Sequence, residues 1–290
     1  MRVLRAGVCN TDLELVEGYY PYAGILGHEF VGRVEAAPGA EGWVGKRVVG
    51  EINAVCGDCP TCRANRPTHC ERRTVLGIVG RNGSFAEYLA LPVANLHEVP
   101  AAVPDEVAVF TEPAAAALEV QEQVRVGPGD RVVLIGSGKL GSLVAQTLAL
   151  TGCDLVVAGR NPATLGLLGA RGLPTRSAAD LPERQADVVV ECTGNPDGVD
   201  LALRAVRPRG TVVLKSTYHG RASLDLARVV VDEVTLVGSR CGPFARALAL
   251  LAEKRVDVRP LVAASYPLAD AIAAFEHAAR PGVLKVLVDC

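Results

Sequence analysis

The stretch Arg131–Gln146, RVVLIGSGKLGSLVAQ, falls into three pieces. Val132 to Ile135 is a short apolar run, mostly β-branched, the pattern of a strand buried in a parallel sheet. Gly136-Ser137-Gly138-Lys139-Leu140-Gly141 is a G-x-G-x-x-G turn. From Ser142 to Leu150 the apolar residues recur at helical spacing. Strand, glycine turn and helix in that order form the fingerprint of a dinucleotide site. Gly136 permits the tight turn, Gly138 lets the backbone approach a pyrophosphate, and Gly141 lets the helix pack close on the strand. The amides at the helix start then face phosphate charge. Residues 136–141, with Ser137, Lys139 and Leu140 among them, are the expected cradle.

Working outward, the alternation continues. Leu155–Ala158, Asp187–Glu191, Thr211–Leu214 and Thr235–Val237 are strand-like runs with helical connections, which implies a parallel sheet. Phe244–Lys254 and Leu268–Ala279 have helical spacing, and Val283–Val288 reads as a closing strand. Upstream, short apolar runs such as Phe30-Val31, Val48-Val49 and Tyr88–Leu91 alternate with glycine turns, so this segment reads as β-rich. Pro104–Val124 is the first long helical pattern, and Gly127-Pro128-Gly129-Asp130 breaks the chain after it. The expected divisions are residues 1–122, 123–240 and 241–290.

The chain's 290 residues suggest two domains. Its net charge of −2 gives no argument for nucleic acid or a membrane surface as partner. No apolar run reaches the roughly 18 residues of a membrane span. The start, MRVLRAGVCNTD, lacks the apolar stretch and cleavage site of a signal peptide. The expected compartment is therefore the cytoplasm, and the expected partner is a small molecule.

Cys56, Cys59, Cys62 and Cys70 stand in CGDCPTCRANRPTHC with C-x2-C-x2-C-x7-C spacing. Two disulfides or an iron–sulfur cluster are the other readings. Four thiolates in one short loop suit tetrahedral zinc best, and such a closed site is structural. His69 beside Cys70 is expected to be exposed.

Three further fragments are bland alone: Cys9-Asn10-Thr11-Asp12, Gly27-His28-Glu29 and Thr111-Glu112-Pro113. Together they supply thiolate, imidazole and carboxylate, the donors of a catalytic zinc with an open position. With the four-cysteine loop, the glycine turn and Glu191-Cys192-Thr193-Gly194, they stand in the order of a known family. The chain resembles the zinc-containing medium-chain dehydrogenase/reductase family, the alcohol, sorbitol and glucose dehydrogenase group.

The resemblance implies an α/β fold, with a Rossmann doubly wound parallel sheet inserted in a GroES-like β-rich catalytic domain. It implies Cys9, His28 and Glu112 as ligands of the catalytic zinc, with Glu29 a nearby carboxylate. Thr11 matches the hydroxyl that relays the substrate proton, and Asp12 the carboxylate that orients the histidine. Thr193 falls beside the cofactor. The implied reaction moves a hydride between a secondary alcohol, polyol or sugar and a nicotinamide, with zinc polarising the substrate oxygen. A homo-oligomer, dimer or tetramer, is implied as well. The alternative is a non-catalytic nucleotide-binding or sensing protein on the same scaffold. The chain departs from the family pattern at its start, where one opening hairpin is missing, which predicts an unpaired neighbouring strand. It also departs between Asp12 and Gly27, a short segment carrying Tyr19, Tyr20 and Tyr22. That segment is either part of the substrate cleft or a surface turn.

An acidic residue about 20 positions past the glycines bonds the ribose of NAD. Here the second strand ends Val157-Ala158-Gly159-Arg160. Gly159 stands where the acid would, and Arg160 carries a fork suited to phosphate. This favours NADP over NAD. Lys215, His219 and Arg240 also follow strand ends and face either cofactor or solvent.

Overall fold

The computed structural model describes residues 1–218, 221 and 223–290. From the N-terminus the chain runs through β1 (Arg2–Gly7), α1 (Asn10–Val16), β2 (Glu29–Arg33), β3 (Arg47–Gly50), β4 (Asn53–Ala54), α2 (Pro60–Arg63), β5 (Thr74–Leu76), β6 (Gly80–Arg81), β7 (Leu96–Glu98), α3 (Asp105–Ala108) and α4 (Thr111–Gln123). The middle holds β8 (Arg131–Ile135), α5 (Lys139–Ala149), β9 (Asp154–Gly159), α6 (Pro162–Gly169), β10 (Thr175–Ser177), β11 (Ala186–Glu191), α7 (Asp197–Ala205), β12 (Val206–Leu214), α8 (Leu226–Val231) and β13 (Thr235–Gly238). The end returns with α9 (Phe244–Ala252), β14 (Val262–Pro267), α10 (Ala271–Ala278) and β15 (Lys285–Asp289).

Two compact units result: Met1–Ala115 with Phe244–Cys290, and Ala116–Pro243. The first division falls within α4, because one unbroken helix carries the chain from one unit into the other.

The middle unit is a six-stranded sheet in the order β10-β9-β8-β11-β12-β13, parallel throughout. Counted within the unit, this is 3-2-1-4-5-6, the doubly wound order. Val132, Leu134, Val189 and Val190 are wholly buried, as central strands of such a sheet require. The order reverses between β8 and β11, so the glycine turn after β8 and the Cys192–Gly194 turn after β11 share one crevice end.

The other unit carries the sheet β14-β15-β1-β2-β3-β7, antiparallel except between β14 and β15. Strand β1 lies inside it, paired with β15 on one side and β2 on the other. Helix α10 covers β15 through Ala274 and Ala278, one turn apart, against Val286 and Val288.

Three expectations of the sequence fail locally. Helix α1 stands in the segment read as β-rich. Tyr88–Leu91 is not a strand; Tyr88 makes one isolated bridge to Arg2, and the Leu89 amide donates to Met1 O at 3.1 Å. Pro104–Val124 is two helices, because Pro113 has no N–H for the Val109 carbonyl.

Candidate functional site

The chain leaves β1 at Gly7 and enters α1 through Cys9. The Cys9 amide donates to Asp12 Oδ2 at 2.8 Å. Asp12 is wholly buried, and its Oδ1 accepts the Gly27 amide at 3.2 Å and lies 3.1 Å from His28 Nδ1. One carboxylate thus joins the Cys9 turn to the Gly27-His28 turn. With Nδ1 engaged, the other ring nitrogen of His28 is left for a ligand. The turn needs its glycine: Gly27 has φ +99°, and a Cβ there would lie 2.6 Å from Ser84 Oγ.

Cys9, His28 and Glu29 bring a sulfur, a ring nitrogen and a carboxylate oxygen within 4.8 Å of one another. Thr11 Oγ1 lies 3.8 Å from Cys9 Sγ. The grouped carboxylate is Glu29, because it adjoins His28 on β2, and Glu112 falls outside the group. Glu112 is half-buried in the first turn of α4, where Thr111 Oγ1 donates to Ala108 O at 2.7 Å. Burial opposes a charge on His28, but Asp12 and then Cys9 outweigh it and hold its pKa well above the usual imidazole value. Glu29 Oε1 is buried without a hydrogen-bond partner, which fits a donor aimed at a cation. Thiolate, imidazole and carboxylate in one buried spot form a zinc donor set.

The four-cysteine loop is a second group. It rises between β4 and β5, whose pairing of Asn53 with Val75 and Ala54 with Thr74 closes its base. Its sulfurs lie 3.4 Å (Cys56–Cys70), 3.8 Å (Cys59–Cys70) and 4.0 Å (Cys56–Cys62) apart. Sulfurs about 2.3 Å from one zinc in a tetrahedron sit roughly 3.8 Å apart, whereas a disulfide needs ~2.0 Å. All four cysteines are unbridged. The Cys62 amide donates to Cys59 Sγ at 3.4 Å and draws that thiol down to about 6, while burial pushes Cys62 up to about 12. His69 is exposed, 3.1 Å from Thr68 Oγ1, and stands outside the group.

In the other unit, Gly136 has φ +114°, and a Cβ on it would lie 2.3 Å from Cys192 O. A Cβ on Gly141 would lie 2.0 Å from Gly136 O, so the helix presses on the turn as the motif requires. A Cβ on Gly138 would meet nothing within 4 Å, and that open side suits a phosphate. Lys139 and Leu140 open α5, and Ser137 is buried with Oγ 2.6 Å from Thr164 Oγ1. A Cβ on Gly159 would fall 2.5 Å from that Ser137 oxygen, so a side chain there would have to displace Ser137 from Thr164. Arg160 is exposed at the end of β9. Thr193 donates from its amide and hydroxyl to Glu191 Oε1, at 2.7 and 2.6 Å, so Glu191 fixes this turn.

Among the remaining candidates, Tyr22 donates to Arg81 O at 2.7 Å and pins its loop, while Tyr19 and Tyr20 are exposed. Lys215 Nζ donates to Arg240 O at 2.7 Å. His219 lies outside the described residues. Sequence reasoning missed Lys285, whose ammonium donates to Glu29 Oε2. Its signal was a single charge inside an apolar closing strand.

Comparison with known proteins bears on both units. The model described as the alcohol dehydrogenase GroES-like domain matches residues 1–101, and that of zinc-binding dehydrogenases matches residues 140–253. The chain is 31% identical to the sorbitol dehydrogenase of Halalkalibacterium halodurans over 99% of its own length and 90% of that protein. Among solved structures, the alcohol dehydrogenase TADH from Thermus sp. ATN1 superposes with a TM-score of 0.91 at 30% identity, covering 100% of this chain and 91% of that one. A protein of Sinorhizobium meliloti 1021 assigned to the zinc-binding dehydrogenases, solved with NADP, gives 0.91 at 28% identity, again covering 100% and 91%.

Proposed function

The chain belongs to the zinc-containing medium-chain dehydrogenase family, and from that premise we propose that it oxidises a secondary alcohol of the polyol or sugar class with NADP, or reduces the matching carbonyl. The observation that carries this reading is the buried group of Cys9, His28 and Glu29, held by Asp12. Zinc bound there supplies Lewis-acid polarisation of a substrate oxygen. Cys9 and Glu29 hold the ion by charge and His28 by its free ring nitrogen, whose orientation Asp12 keeps. Thr11, beside Cys9, passes the alcohol proton outward. Residues 136–141 would seat a nicotinamide cofactor, which would supply the hydride acceptor. Cys56, Cys59, Cys62 and Cys70 would hold a second zinc, of structural rather than catalytic use. Likeness to a sorbitol dehydrogenase supports the polyol class. Arg160, and a glycine at 159 in place of an acid, support NADP.

The family pattern offers Glu112 as third donor, whereas proximity favours Glu29. E29Q and E112Q separate them by which variant loses the zinc at Cys9. Metal analysis is expected to give two zinc per chain. A polyol panel read by reduced-cofactor absorbance is expected to favour NADP, and R160A to cost NADP about 10–100-fold in affinity, the worth of a charge-assisted bond. One zinc per chain, or a preference for NAD that R160A leaves unchanged, would overturn the reading. A homo-oligomer is supported by β13, which among the described residues pairs on one side only, and by the exposed Leu226, Val230 and Val231 of α8. Sedimentation tests it.

A further inference from the structure

We propose that Lys285 is a positioning residue of the metal site: it grips Glu29 by Oε2 and so keeps Oε1 turned to the ion. The proposal rests on the reading that Cys9, His28 and Glu29 bind zinc. Lys285 opens the last strand, β15, yet is only 3% exposed. Its Nζ donates to Glu29 Oε2 and, at 3.3 Å, to Val8 O, and it lies 5.7 Å from the centre of the Phe110 ring. Val8 adjoins Cys9, Glu29 adjoins His28, and Phe110 stands two residues before Glu112. One ammonium therefore bonds both segments that carry the grouped donors, from 256 residues beyond Glu29, and lies over the ring that precedes Glu112.

The two oxygens of Glu29 are treated unequally. Oε2 is held by Lys285, while Oε1 is buried with no hydrogen-bond partner. A carboxylate fixed by one oxygen presents the other as a single directed donor. The backbone makes room for this. Gly7 pairs with Glu29 on one side and with Leu287 on the other. A Cβ on Gly7 would lie 2.5 Å from Glu29 Oε2 and 3.5 Å from Lys285 Cδ. A buried ion pair is a weak source of stability in itself, because desolvation offsets its attraction. Its work here is on the geometry of the donor, as a hydrogen bond to a ligating carboxylate does.

The test reads metal, with the four-cysteine zinc as internal control. Wild type, K285M and K285R are loaded with zinc, and release to a chromophoric chelator is followed. K285M is expected to weaken the Cys9–His28–Glu29 site about 10–100-fold, the usual cost of losing a group that holds a ligand, and to leave the other zinc unchanged. K285R is expected to return release to within a few-fold of wild type. Cobalt exchanged into the Cys9 site should show shifted visible bands in K285R, because the wider guanidinium re-aims Glu29. Unchanged release and bands in both variants overturn the proposal, as does equal loss of both metals. Cobalt bands absent from wild type but present in the four-cysteine loop overturn the site reading, and the proposal with it.

Discussion

The two candidate metal groups are built in opposite ways. The four-cysteine loop takes every donor from between Cys56 and Cys70 and orders them with its own amides, Cys56 N on Cys70 Sγ and Cys62 N on Cys59 Sγ. It needs from the fold only the β4–β5 pairing at its base. The Cys9–His28–Glu29 group takes its donors from two chain segments that meet at one end of the β1–β2 pairing, where Gly7 faces Glu29, and Lys285 of β15 reaches Glu29 there. Four sulfurs close one ion off from substrate, and three donors leave a position open. A local loop can thus be a staple, whereas the open site exists only while the register of three strands is held.

The largest effects expected separate these roles. C9S removes a donor from the open site. Turnover should fall at least about 10³-fold, the several kcal/mol a Lewis acid supplies, while the melting temperature stays within a few degrees. C59S should do the reverse. Structural zinc contributes folding energy outright, so the melting temperature should drop on the order of 10 °C for a loss of several kcal/mol at this size. Activity per folded molecule should persist. Calorimetry and steady-state rates on both variants check the pair. If C9S unfolds the protein and C59S stops turnover in a folded one, the contrast is wrong.

The same contrast explains what the sequence disclosed. The loop was legible because four like residues at short spacing carry their meaning locally. The glycine turn was legible for the same reason, and the β-branched runs around it became β8, β9 and β11. Cys9, His28 and Asp12 were legible only through family resemblance, since nothing local says that residues 9 and 28 meet. The grouping of Glu29 ahead of Glu112 needed the strand, which turns its carboxylate to Cys9 and His28. Lys285 was missed because its partner lies 256 positions away and its contact depends on the register Gly7–Leu287. Helix α1 was missed because its start is sealed by Asp12 and Cys9, residues chosen for the site as much as for the helix.

A smaller effect sharpens the contrast on the open side. Asp12 touches Cys9, Gly27 and His28 but no sulfur of the loop. D12N keeps the shape and removes the charge that holds the imidazole. Zinc at the open site should weaken about 10–100-fold, with the loop zinc unchanged, as chelator competition would show. Equal loss of both ions would mean that Asp12 serves the fold and not the ligand.

The smallest effect bears on the loop. His69 adjoins Cys70 in sequence, and imidazole is a common zinc ligand, so it is the residue by which a purely local reading could go wrong. In the structure it is exposed and leans on Thr68, while Cys70 turns inward to Cys56 and Cys59. His69 ends a 3-10 turn (Pro67–His69) and faces Thr68, whereas Cys70, its C-cap residue, is buried among the other sulfurs. H69A should therefore leave two zinc per chain and move stability by no more than about 0.5 kcal/mol, as an exposed substitution does. Metal content and a melting curve suffice. Loss of one zinc in H69A would make the imidazole a ligand, free one cysteine, and turn the closed loop into a site with an exchangeable position like the other.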